Sequence, residues 1–225
     1  MNSENKSKNK KKKRHGNFLY DFVRITGGIP VLLYMRPKNL YPQGNKDAKG
    51  KVLISANHTS FLDPISAHVA FLNRRLYILA TKDLFETRLK DFFFKRAHCI
   101  KVDKDNFNMS SFHEVVERLN ENCAVLIFPE GQVNREAENQ LLAFKSGAVL
   151  MALRAKAPIQ PIYIVNREKW YKRQVVVKGA PIDVSSMVGK IPTKADIDRI
   201  TEYIRLKEIE LKQYYEDYIR AKKKK

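Results

Sequence analysis

A histidine and an aspartate with four residues between them stand in the stretch Asn57-His58-Thr59-Ser60-Phe61-Leu62-Asp63-Pro64. A neutral imidazole is the side chain best matched to taking a proton near neutral pH. If a carboxylate accepts from one ring nitrogen, the other is left unprotonated and available to a hydroxyl. That is the division of labour of a hydrolase triad without a protein nucleophile. Four intervening residues let a loop fold back and set Asp63 against His58. The same residues admit plainer readings: a satisfied or solvated loop histidine, and an Asp-Pro helix start in which Asp caps and Pro opens the first turn.

A second stretch, Phe128-Pro129-Glu130-Gly131, ends the most apolar run of the chain and opens a polar loop containing Arg135. Gly131 allows a turn whose backbone amides approach an anion, and Arg135 and Lys145 are placed to bring positive charge to a phosphate. Alone, it reads as an ordinary strand-to-loop turn. Other chemistries find less support. Cys99 and Cys123 lie in or beside apolar runs, where a thiol is usually buried and inert. The five histidines show no paired ligand spacing, so no metal is expected, and there is no Gly-rich nucleotide loop.

Both motifs need a scaffold, and the hydropathy pattern supplies one. Val52 to Ala56, Leu76 to Ala80, His98 to Val102, Ala124 to Phe128 and Ile159 to Val165 read as strands, and Val175 to Val177 as an edge strand. Helices are expected from about Asp63, over Asp83 to Lys95, Ser110 to Asn120, Phe144 to Arg154 and Lys194 to Ala221. The last carries Glu208 to Lys212 and Glu216 to Arg220 as four-apart ion pairs. Alternating strands and helices predict a single-domain α/β layered sheet with flanking helices. The histidine loop then falls at a strand's carboxyl end, where open α/β sheets bind ligands.

Charge frames the partners. Lys and Arg number 43 against 24 Asp and Glu, a net charge of +19, partly concentrated in residues 1–16 and 222–225, which read as a disordered arm and tail. Such fields attract nucleic acid, anionic lipid or acidic carrier proteins. Aromatic residues are not interleaved with the basic runs and no recognition motif appears, so nucleic acid is not an expected partner. The apolar run Ile25 to Met35, broken by Gly27, Gly28 and Pro30, is about half the ~20 residues a spanning helix needs. Phe18, Leu19, Phe22, Val23 and Ile25 recur at helical spacing behind the basic arm, which suits an interfacial helix and equally a core-packing one. Residues 17–48 are thus expected as a membrane-interface helical segment and linker, and 49–221 as the catalytic domain. No apolar secretory segment is found in residues 1–16, which points to a reduced, cytoplasmic setting at a membrane face.

Taken together, these stretches resemble the glycerolipid acyltransferase family, the enzymes that acylate lysophosphatidic acid and its relatives. The family's first block is matched by Asn57 to Asp63, and its next block resembles His98-Cys99-Ile100-Lys101-Val102-Asp103-Lys104. The third is matched by Phe128 to Gly131, followed by Phe144-Lys145-Ser146-Gly147-Ala148, and the Pro-centred fourth by Ala157-Pro158-Ile159-Gln160-Pro161-Ile162. The resemblance spans roughly residues 50 to 165 and implies a glycerol-3-phosphate acyltransferase-like fold. It implies His58 as general base and Asp63 as its orienting partner, with acceptor phosphate bound by Lys104 and the Glu130-Gly131 turn. Lys82 sits where relatives often place a basic residue near that site. No cofactor is implied beyond an acyl-CoA or acyl-carrier-protein thioester as co-substrate; the expected partners are lysophosphatidic acid and an anionic membrane surface.

Two positions depart from the family pattern. The block at His98 to Lys104 usually ends in Arg, whereas Lys104 offers a point charge without the bidentate fork. The third block usually continues with Thr and Arg, whereas Gln132 and Val133 stand there and the nearest arginine is Arg135. Either Arg135 reaches back, or the acceptor headgroup differs. Acylation of another lysolipid or alcohol, and a non-catalytic protein that binds anionic membranes, are the alternatives.

Overall fold

The computed structural model describes residues 28–103, 109–134, 140–167, 169 and 171–224. Its apolar runs assemble into one seven-stranded sheet. In chain order the elements are α1 (Gly28–Met35), β1 (Lys38–Leu40), β2 (Val52–Ala56), α2 (Asp63–Ala70), β3 (Leu76–Thr81), α3 (Arg88–Arg96) and β4 (Cys99–Val102). They continue with α4 (Met109–Asn120), β5 (Ala124–Ile127), α5 (Gly147–Ala155), β6 (Ile159–Ile164), β7 (Val175–Lys178) and α6 (Lys194–Lys223). The spatial order is β1-β7-β6-β2-β5-β3-β4. The five strands from β6 to β4 are mutually parallel, so their carboxyl ends share one edge. β7 runs against β6, and β1 runs parallel to β7, so both begin at that edge.

A parallel strand is covered on both faces, and its residues alternate between two cores. Leu53, Val125 and Ile127 point to the face packed by Val115 and Leu119 of α4, Val149 and Ala152 of α5, and Ile200 and Ile204 of α6. Val52, Ile54 and Leu126 point the other way, onto Ala67 and Ala70 of α2 and onto Phe71. Each such fully buried Leu or Ile contributes about 1.5–3 kcal/mol, so β2, β5 and β6 form the rigid centre.

Four expectations are corrected. Residues 17–48 are not all interface helix and linker: Lys38–Leu40 pair with β7 and form the sheet's edge, so the sheet begins inside that segment. Val175–Lys178 is consequently interior, between β1 and β6. The helix expected over Asp83 to Lys95 is two pieces, a 3-10 turn at Lys82–Phe85 and α3, because Thr87 caps α3 by accepting from the Lys90 amide. Finally, Glu208, expected in a four-apart ion pair, is fully buried. Arg220 pairs with Asp217 at 3.5 Å.

The run from Phe18 to Ile25 lies outside the described residues. The following segment is helical as α1, with Pro30 in its first turn, where the missing N–H costs nothing. Among the described residues no helix is long and apolar enough to cross a membrane. Both Cys99 and Cys123 are half-buried; burial pushes the Cys99 thiol up to about 12, and burial raises Cys123 as well.

Candidate active site

β2 ends at Ala56, and the chain turns out of the sheet immediately after it. Asn57 is fully buried and makes that exit rigid. Its amide donates to the Ile164 carbonyl at 3.0 Å and accepts from the Ile164 N–H at 2.7 Å, extending the β2–β6 ladder with a side chain. His58 is therefore delivered at the carboxyl edge of the central strand, with 17% of its side chain exposed.

Asp63 opens α2 and folds back over the loop. Its Oδ2 lies 3.1 Å from His58 Nδ1 and accepts from the Thr59 and Ser60 amides at 2.6 and 2.7 Å. Two N–H groups converging on one oxygen hold the carboxylate in one rotamer. A carboxylate only accepts, so Nδ1 carries the proton and Nε2 is the basic nitrogen. The chain thus makes both the Asp-Pro helix start and the dyad with the same residue.

The loop is gripped from the neighbouring strand as well. Glu130, just past β5, is buried, and its Oε1 accepts from the His58 amide at 3.0 Å. Its Oε2 accepts from Asn134 Nδ2 and the Leu142 amide, each at 3.0 Å. The Asn134 amide returns to the His58 carbonyl at 2.6 Å, and Asn134 Nδ2 also donates to the Gln140 carbonyl at 2.9 Å. Phe128 stacks on the imidazole, centroids 4.2 Å apart. The amides of His58, Thr59 and Ser60 are all committed to carboxylates, so donors to an oxyanion must come from elsewhere.

The residues expected at a phosphate are placed unevenly. Lys82, after β3, forms an exposed ion pair with Asp103, after β4, at 3.0 Å. Gly131 adopts φ +71, a conformation that suits glycine, and Lys145 lies across it: a β-carbon there would come within 2.8 Å of Lys145 Cε. The Lys145 amide donates to the Pro129 carbonyl at 2.8 Å, which binds the two halves of the third block together. That anchor also explains why α5 begins at Gly147 rather than at Phe144. The Glu130 carboxylate is turned to the histidine loop, so the turn offers an anion its backbone and Lys145 rather than that side chain. Lys104 and Arg135 lie outside the described residues. A cavity of about 260 Å³, lined among others by Tyr34, Ser60, Leu62 and Arg167, borders Asp63 and not His58.

Sequence reasoning missed Asn57 and Asn134 as supports and did not foresee that Glu130 grips the histidine loop. A signal existed only for Asn57, an amide directly following five buried strand residues; the contacts of Glu130 and Asn134 join segments 72 and 12 residues apart or depend on a loop's course. A third buried carboxylate, Glu208 of α6, reaches β2 from the other layer: Ser55 Oγ donates to its Oε1 at 2.6 Å. Burial holds the Glu208 carboxyl well above the usual glutamate value of 4.5, with Glu130 adding repulsion and Ser55 opposing.

Comparison with known proteins bears on the family and the fold. The sequence profile of the family described as Acyltransferase matches residues 37–165. A 1-acyl-sn-glycerol-3-phosphate acyltransferase of Bacillus subtilis is 28% identical over 203 residues, covering 87% of this chain and 95% of that protein. Another, from Limnanthes alba, is 28% identical over 194 residues, covering 82% of this chain and 66% of its own length. The crystal structure of the 1-acyl-sn-glycerophosphate (LPA) acyltransferase PlsC from Thermotoga maritima shares the fold, with a TM-score of 0.61 at 14% identity over 88% of this chain and 80% of that one.

Proposed function

The chain belongs to the acyltransferase family, and on that premise we propose that it moves a fatty acyl group from a thioester to the free hydroxyl of lysophosphatidic acid, making phosphatidic acid. The observation that carries this reading is the 3.1 Å contact between His58 Nδ1 and the buried Asp63 carboxylate at the sheet's carboxyl edge. The relatives named above as 1-acyl-sn-glycerol-3-phosphate acyltransferases support the acceptor.

In the reaction, His58 Nε2 takes the proton of the acceptor hydroxyl as its oxygen bonds to the acyl carbon. Asp63 stabilises the imidazolium that forms. Collapse of the tetrahedral intermediate breaks the C–S bond, and the imidazolium proton goes to the departing thiolate. Such general base catalysis is worth about 10²–10⁴-fold, and holding donor and acceptor together contributes through proximity. The acceptor phosphate is met by Lys82, which exchanges Asp103 for it, by the Gly131 turn with Lys145, and by Lys104 and Arg135. The donor is a coenzyme A or carrier-protein thioester, and the reaction takes place at the cytoplasmic face of an anionic membrane; the net charge of +19 supports that surface.

The test is acyl transfer by purified wild type and His58→Ala on anionic vesicles bearing lysophosphatidic acid, with each thioester supplied separately. Ester formation by wild type, lost in a folded His58→Ala, is the expected result. A wild type that is inactive with both donors, or a fully active His58→Ala, overturns the reading.

A further inference from the structure

Large apolar side chains stand in solvent at three places around the sheet's carboxyl edge. α1 exposes Ile29 and Leu33, the histidine loop exposes Phe61, and α3 exposes Leu89, Phe92 and Phe93. The topology brings them to one side of the molecule. The histidine loop follows β2 and α3 follows β3, two strands whose carboxyl ends lie together. α1 leads into β1, which starts at that same edge because it runs against β6.

α3 is the unusual member of the three, because none of its residues is buried. Helical spacing puts Leu89, Phe92, Phe93 and Arg96 on one face and Phe94 on the opposite one. Phe94 attaches the helix by packing on the buried Phe85, ring centroids 5.7 Å apart. The outward face remains 79% exposed at Leu89, 50% at Phe92 and 52% at Phe93. Arg88 and Lys90 flank it, and the Arg96 guanidinium lies 3.5 Å above the Phe92 ring. Within the helix only Asp91 opposes these charges, and it is paired with Lys95 at 2.7 Å.

We propose that α3 is a membrane-docking element: its Leu89, Phe92 and Phe93 face enters the interfacial layer of an anionic phospholipid leaflet while Arg88, Lys90 and Arg96 meet the headgroups. The proposal rests on the acyl-transfer reading in one respect, that a lysolipid acceptor resides in such a leaflet. A short helix with an apolar face and a basic border has the pattern of an interfacial helix. An acidic carrier protein would be met by the basic residues but would leave three large apolar side chains unexplained. Docking through α3 sets the bilayer against the edge that holds His58, so the acceptor is delivered from the leaflet to the imidazole without crossing water.

The test uses the full chain with Trp170→Phe, which removes the single tryptophan, combined with Phe93→Trp. On phosphatidylglycerol vesicles carrying brominated acyl chains the introduced indole is expected to shift to the blue and be quenched. Leu89→Ser/Phe92→Ser is expected to weaken vesicle partition about ten-fold while leaving transfer to a short-chain, water-soluble acceptor within about two-fold. An indole that stays unquenched on protein sedimenting with the vesicles overturns the proposal, as does an indole that responds to acyl carrier protein and not to vesicles. If the indole is quenched but wild type acylates neither soluble nor membrane acceptor, the docking stands and the acyl-transfer reading fails.

Discussion

Two carboxylates hold the histidine loop, and they do so from different distances in the chain. Asp63 is five residues from His58 and binds its ring together with the next two amides, all through one oxygen. Glu130 is 72 residues away and binds the His58 main chain, with its other oxygen spent on Asn134 and Leu142. Asp63 sets the orientation of the imidazole; Glu130 sets where the imidazole stands relative to β5 and the turn at Gly131. The general base proposed at His58 would need both, because proton transfer is sensitive to orientation and to position.

Separating these tasks experimentally begins with the largest effect. Asp63→Asn keeps the shape but loses the charge that stabilises an imidazolium, and a fall in kcat of about 10³–10⁴-fold is expected. Steady-state rates with the acceptor saturating measure it directly; a loss confined to KM would move Asp63 from chemistry to binding. Glu130→Ala leaves three inward donors without their acceptor. It is expected to cost about 2–3 kcal/mol in urea unfolding and to lower kcat about 10–100-fold with a smaller change in KM for the lysolipid. If KM rises and kcat holds, Glu130 belongs to the phosphate instead, as the family resemblance implies.

Gly131→Ala addresses the turn next to Glu130. The positive φ costs about 1 kcal/mol, and the new methyl displaces Lys145. A KM for the phosphate-bearing acceptor raised about three- to ten-fold, with kcat little altered, is expected, and an acceptor lacking the phosphate should be indifferent to the change.

The smallest effect on activity is expected at Glu208, the carboxylate that grips nothing of the loop. Glu208 keeps its proton to higher pH in the folded state than in the unfolded chain, which releases it above the ordinary value of 4.5. The stability contributed by this group is therefore fully present below that pH and declines as pH rises towards the raised folded value. Glu208→Gln imitates the protonated form, so its Tm is expected to lose that decline and to exceed the wild-type value at alkaline pH. A Tm that falls with pH as steeply as in wild type would mean that Glu208 ionises in place.

How much of this was legible follows the same distinction between near and far. The dyad could be read because both its members and their loop lie within six consecutive residues, so spacing nearly dictates the contact. Glu208 was misread for the opposite reason. A four-apart Glu and Lys on a helix is the pattern of a solvated pair, and only the packing of α6 against β2 reveals that Glu208 is buried against Ser55. The pattern of α3 is similarly ambiguous: its aromatic run suits a core helix, yet the described neighbours of the helix cover only its Phe94 side.

The sequence by itself determined the alternation of strands and helices, the buried central strands, the turn chemistry at Asp63 and Gly131, and the pairing of His58 with Asp63. These depend on local periodicity and on side chains a few residues apart, where chain connectivity restricts the geometry. The tertiary structure decided the rest: that Lys38–Leu40 closes the sheet's edge, that Asn57 fastens β2 to β6, that Glu130 supports the histidine rather than facing outward, and that Glu208 is sealed beneath β2. Each joins segments far apart in the chain, and such contacts are selected by the packing of whole layers, a cooperative quantity that no short stretch of residues contains.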